Sequence, residues 1–136
     1  MTTLLLAMAI VAADPKAKVP DAPTVIVKTM ARAGHQVRWQ AASKRERHQS
    51  IAGRVVWSKF PERWVPGDEV LVYDFGSRET AEIQGESALA ASPKEGLSAV
   101  TAGRYYYSGT SMRIAAVTQT LREAGLKPRD FTFARQ

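Results

Sequence analysis

His35 and His48 are the only histidines in the chain, and each sits in polar or basic sequence without Asp or Glu at ligand spacing. A metal site needs several converging donors, and two distant imidazoles do not supply them. Cysteine is absent, which removes disulfides and thiolate ligands. Gly76-Ser77 and Ser108-Gly109 lack the Gly-x-Ser-x-Gly frame of a serine nucleophile. Glu79, Glu82 and Glu86 are three and four apart, and on a strand-and-turn reading they are outward solubilising charges rather than a catalytic pair. Neither a phosphate-cradling Walker loop nor a Gly-x-Gly-x-x-Gly fingerprint occurs. The residue types therefore predict no catalytic, cofactor or metal site. They point to a protein that binds rather than transforms.

The residues that could do the binding are basic and aromatic. Of the net charge of +6, residues 1–67 carry +7 and residues 68–136 carry −1. A basic half can face nucleic acid, an acidic partner or a membrane surface. Arg38, Lys44, Arg45, Arg47 and Arg54 are the candidate contacts, with Trp39 and Trp57 beside them and Tyr105 and Tyr107 further along. Tyrosine, tryptophan and arginine are favoured at interfaces. Exposed tryptophans could also stack on bases while the arginines meet phosphates.

These side chains must be positioned by a sheet. Glu69 to Phe75 alternates, with Leu71, Tyr73 and Phe75 on one side and Val70 and Val72 on the other, which is the period of a strand. Apolar residues on both sides predict a central strand. Thr80 to Gln84 reads as another strand, with Ala81 and Ile83 inward. Leu97–Ala102 and Arg104–Ser108 continue the meander after a Ser92–Gly96 turn. Three tyrosines, 105 to 107, fit a strand wetted on one face.

Earlier in the chain, β-branched Thr24 to Met30 reads as a strand. His35–Ala41 and Ile51–Ser58 alternate as a hairpin whose tip is the basic loop Ser43–Ser50, with a bulge expected at Gly53-Arg54. Lys59–Gly67 is a connector whose Phe60 and Trp64 fold over one end of the sheet. A single helix is expected near residues 111–124. Thr110 or Ser111 caps it, Ile114, Val117 and Leu121 form its apolar stripe, and Gly125 ends it. Phe131–Phe133 then closes a β-α-β unit. The expected fold is α+β: a mainly antiparallel sheet, as a meander or partly closed barrel, with one C-terminal helix.

At 136 residues the chain is sized for one domain, here 24–136, preceded by an apolar arm and a Pro-rich linker over 1–23. Leu4–Ala13 is ten apolar residues, too few to span a bilayer, which takes about 20. It reads as a buried strand or an arm docked on a neighbouring subunit. The other reading is a secretory leader ending at Val11-Ala12-Ala13, although no Lys or Arg precedes the apolar run.

Two segments resemble known families. In residues 104–133, Ser108-Gly109 and Met112 are similar to the last β-α-β of ferredoxin-reductase-type nicotinamide-binding domains, with Thr110 in place of the usual Pro. That resemblance implies Ser108-Gly109 near a nicotinamide, but the Arg-x-Tyr-Ser motif of the accompanying flavin barrel is missing. In residues 68–107, Asp68, Tyr73-Asp74 and Gly85 resemble the repeating hairpins of lipopolysaccharide-bridge proteins, which implies an envelope lipid partner.

Three functions are expected in order. The first is a non-catalytic structural or assembly subunit of a phage particle or other large bacterial assembly, oligomeric or bound to fixed protein partners. The second is a nucleic-acid-binding β-domain, and the third an exported protein binding lipid or glycolipid. A membrane-embedded protein is not expected.

Overall fold

The computed structural model describes residues 22–57, 68–91 and 97–132. In chain order the elements are α1 (Pro23–Arg32), β1 (Arg38–Ala41), α2 (Lys44–Arg47), β2 (Ile51–Val56), β3 (Glu69–Asp74), α3 (Arg78–Ala91), β4 (Leu97–Ala102), β5 (Tyr105–Thr110), α4 (Ser111–Glu123) and β6 (Arg129–Thr132). The six strands make one open sheet in the order β1-β2-β3-β5-β4-β6. Every neighbouring pair is antiparallel. The fold is α+β with the expected terminal helix, and among the described residues three further helices accompany it. The apolar stretch Leu4–Ala13, the linker before Ala22, Phe60, Trp64, the Ser92–Gly96 turn and Phe133 lie outside the described residues.

β3 is central, as its two-sided apolar pattern requires. Val70 and Val72 join Val55, Val100, Tyr107, Ile114, Val117 and Leu121 in the larger core, which α1 closes with Ile26, Val27 and Met30. Tyr73 and Phe75 face the other way, against a smaller core of Ala99, Tyr106 and Phe131 beneath α3. The bulge falls one residue before the expected Gly53-Arg54, with Ala52 the extra residue in a register shift between Ile51 and Gly53.

Two segments expected as strands are helices. Thr24–Met30 lies within α1. Its β-branched run costs helix propensity of only a few tenths of a kcal/mol per residue, whereas burying one large aliphatic side chain gains about 1.5–3 kcal/mol. Pro23, Ile26, Val27 and Met30 share the buried stripe. Pro23 stands at the first helical turn, where its missing N–H costs nothing. Gly34, at φ 105°, ends the helix. Its N–H donates to Ala31 O and the His35 N–H to Met30 O, a paired cap that satisfies two orphan carbonyls.

Thr80–Gln84 lies within α3. Here small residues mimic alternation: Ala81 is fully buried, but Ile83, expected inward, is 52 % exposed. Ala81, Gly85 and Ala88 recur at helical spacing and face the sheet. A Cβ at Gly85 would come within 2.6 Å of the Phe131 ring. Ser77 Oγ accepts the Thr80 N–H at 3.1 Å and starts the helix. The lipopolysaccharide-bridge pattern is thus interrupted by a helix at Gly85.

α4 starts at the Thr110 cap, whose hydroxyl accepts the Arg113 N–H. It ends at Gly125, φ 86°, with Gly125 N–H to Arg122 O and Leu126 N–H to Leu121 O. β5 and β6 both run antiparallel to β4, so β5-α4-β6 is a β-α-β unit with β4 inserted between its parallel strands. β3-α3-β4 is a second such unit, with β5 inserted. Both crossovers step two places in the same direction along the sheet, while β3 and β5 point opposite ways. A common crossover hand then requires the helices on opposite faces, which is where α3 and α4 lie.

Candidate functional site: a basic sheet edge

Charges divide sharply along the sheet. Beyond β3, the arginines have acidic partners: Arg104 with Asp74 at 2.7 Å, Arg113 with Asp68 at 3.1 Å, Arg122 with Asp130 at 3.1 Å, and Arg129 with Glu82 and Glu86. Arg78 pairs with Glu82 along α3. Residues 22–57 hold seven cations against Glu46 alone. Arg54 takes that carboxylate in a two-pronged pair and also reaches Glu69 at 3.5 Å. Among the described residues, Lys127 alone among the cations at the far side of the sheet makes no ion pair, and Lys28, Arg32, Arg38, Lys44, Arg45 and Arg47 make none.

These six surround β1, an edge strand. Lys28 and Arg32 are exposed on α1, which packs over the face carrying Trp39. Arg38 pairs with Val56 and points to the opposite face. Lys44, Arg45 and Arg47 are exposed on α2, just beyond the strand's end. α2 is held by a reciprocal cap: the Glu46 N–H donates to Ser43 Oγ at 3.2 Å, and the Ser43 N–H donates to Glu46 Oε1 at 3.0 Å. Sequence reading placed only a loop here, although Ser43 and Glu46 carry the cap's spacing. The Arg54 guanidinium, with help from the Ser43 N–H, lowers the Glu46 carboxyl to about 2.

The remaining predicted contacts are wholly or partly covered. Tyr107 is fully buried, so its ring cannot meet a partner. Trp39 packs against the larger core across Gly53. Trp57 packs there too, under the Arg113 guanidinium 4.8 Å from its ring centre. Tyr105 is half-buried, with Arg104 over its ring at 5.7 Å. The structure therefore places Lys44, Arg45 and Arg47 beyond one end of β1, Arg38 on one face of that strand and Lys28 and Arg32 on the helix over its other face, while Arg54 is ion-paired, Tyr107 is buried, and Trp39, Trp57 and Tyr105 are partly buried.

A cavity of about 410 Å³ lies between α4 and the β4–β6 edge. Its hydroxyls have partners within the fold: Ser98 and Ser111 bond to each other at 2.8 Å, and Thr118 donates to the Ile114 carbonyl at 2.8 Å. Asp130, its one carboxylate, pairs with Arg122. No histidine lines it. Among the described residues no group of three or more His, Cys, Asp or Glu could hold a metal ion. Ser108-Gly109, marked by the reductase resemblance, lies within β5. Gly109 packs against Val70 and the Glu69 carbonyl.

No protein-family model matches the chain, nor does any curated protein or any solved structure. Among the described residues no helix is long and apolar enough to cross a membrane.

Proposed function

We propose that this domain is a non-catalytic assembly subunit that works by docking on protein partners. The observation that carries the reading is the segregation of charge: six unpaired cations around one sheet edge, against arginines that are paired elsewhere. Isolated surface charges contribute little to stability, so this clustering is better accounted for by a partner than by the fold. The apolar Leu4–Ala13 stretch supplies a second adhesive element in the sequence. Light scattering of the full chain tests the reading. A mass of at least twice 14.9 kDa is expected through the apolar stretch, the cationic edge being left for a different partner, and a strictly monomeric mass at about 100 μM, a concentration that populates any self-association of comparable or tighter Kd, counts against it.

The same six cations favour a second reading, nucleic-acid binding through phosphates alone. Tyr107 is buried and Trp39 and Trp57 are partly buried against the core, so phosphate contacts rather than stacking carry this reading. Such binding would be salt-dependent and insensitive to sequence. Filter binding with single- and double-stranded oligonucleotides at two salt concentrations decides it, and binding that does not respond to salt removes it.

A further inference from the structure

We propose that β1 accepts an extended segment of a partner as a seventh strand, and that this segment alternates acidic and apolar residues. The inference deepens the docking role proposed above and rests on it.

The main chain of β1 is set up for addition. Ala42 N–H donates to Ala52 O at 3.1 Å, and Trp57 N–H donates to Asp68 O at 2.8 Å. In an antiparallel ladder, bonded and non-bonded pairs alternate. The first bond therefore turns the Gln40 and Arg38 peptide groups toward β2. The second turns Val55 toward β3, leaving Val55 unbonded to its partner Trp39. The two bonds agree: the N–H and C=O groups of Trp39 and Ala41 face outward. Among the described residues nothing pairs with them. That row is the template on which an added strand forms.

Charge selects the occupant. A second β1 would set Arg38 beside the copy's α2 cations in an antiparallel pair, or each cation beside its own copy in a parallel one, and like charges across a strand pair repel. An acidic segment meets the opposite field. The strand period then sets the pattern within that segment. On one face its side chains would lie beside Arg38 and Gln40, and on the other beside Trp39 and Ala41. Cross-strand neighbours are about 5 Å apart, so acidic residues fit the first face and apolar residues the second.

The test uses the full chain, isotopically labelled, and an end-capped octapeptide of alternating Glu and Val. Controls are a peptide of the same composition with all Glu preceding all Val, an alternating Lys-Val peptide, and short single- and double-stranded oligonucleotides. The alternating acidic peptide is expected to shift the Trp39 and Ala41 amide resonances, and to bind more weakly as salt rises from about 50 to about 200 mM. Ala41→Pro removes an outward N–H and no ladder bond, so it leaves the melting temperature nearly unchanged. It weakens binding about three- to tenfold, the worth of one hydrogen bond. N-methylation of the peptide at the residues facing β1 abolishes binding without altering the protein. Equal binding of the unpatterned peptide, no binding of the alternating one, or binding untouched by N-methylation overturns the proposal. So does a shift of these resonances by oligonucleotide alone. A failed peptide experiment leaves the light-scattering mass where it was, so the two readings fail separately.

Discussion

Replacing Gly53 by alanine places a methyl group 2.6 Å from the Gln40 carbonyl oxygen and 2.7 Å from Cη2 of Trp39. Two effects compete. Alanine regains about 0.5–1 kcal/mol of backbone entropy that glycine loses inside a strand. Overpacking a filled site costs about 1–3 kcal/mol. The second effect wins at Gly53 because one obstacle is backbone. The Gln40 carbonyl belongs to the strand paired with β2 and cannot turn aside as a side-chain tip can. The indole cannot swing out without uncovering the larger core on which it packs. β1 must therefore lift away, and as a four-residue edge strand it has few bonds to resist. The net loss is about 1–2 kcal/mol. Urea unfolding should show a lower midpoint with an unchanged slope. Hydrogen exchange at the Gln40 amide should accelerate far more than at Val72 in central β3. Wild-type stability with a protected Gln40 amide would refute the claim that Trp39 and Gly53 fasten this edge.

Other substitutions separate core from surface. Tyr107→Ala should cost about 3–5 kcal/mol in urea unfolding, the penalty for deleting a buried aromatic, whereas Arg45→Ala stays within about 0.5 kcal/mol. Gly85→Ala gains about 1 kcal/mol of helix propensity but drives a methyl into Phe131. The variant should be destabilised by up to about 2 kcal/mol, and adding Phe131→Leu should recover part of the loss in a double-mutant cycle. For pH, the Glu46 carboxyl falls from 4.5 to about 2 on folding, and Asp74 is lowered as well, chiefly by Arg104. Their stabilisation is complete above the unfolded value and is lost as pH falls through the folded one. Urea midpoints of wild type and Glu46→Gln should differ at pH 7 and converge as the pH approaches 2. Glutamine can keep the helix cap, so the difference reports the Arg54 pair.

The basic and aromatic residues singled out by type have different surroundings in the structure, and not all of them are exposed. Arg54 and Arg38 lie on the same face of the sheet, yet one is neutralised by Glu46 and Glu69 and the other is not. Tyr107 has the composition of an interface and the burial of a core, and Trp57 is half-covered by it. Residue type cannot distinguish these fates, because exposure is decided by what packs above a strand.

By itself the sequence determined the elements whose signals are local. Strict alternation marked β3, one glycine marked the bulge to within a residue, another marked the α4 cap, and the Ile114–Val117–Leu121 stripe marked the helix that carries it. It also determined the charge imbalance between the halves. Only the tertiary structure decided that Thr24–Met30 and Thr80–Gln84 are helices, since their weak propensities are overruled by the faces they bury. It alone decided the strand order, which set α3 and α4 on opposite faces and left β1 at the rim among cations. Those outcomes depend on contacts between residues far apart in the chain, and the free energy of such contacts is written in no single segment.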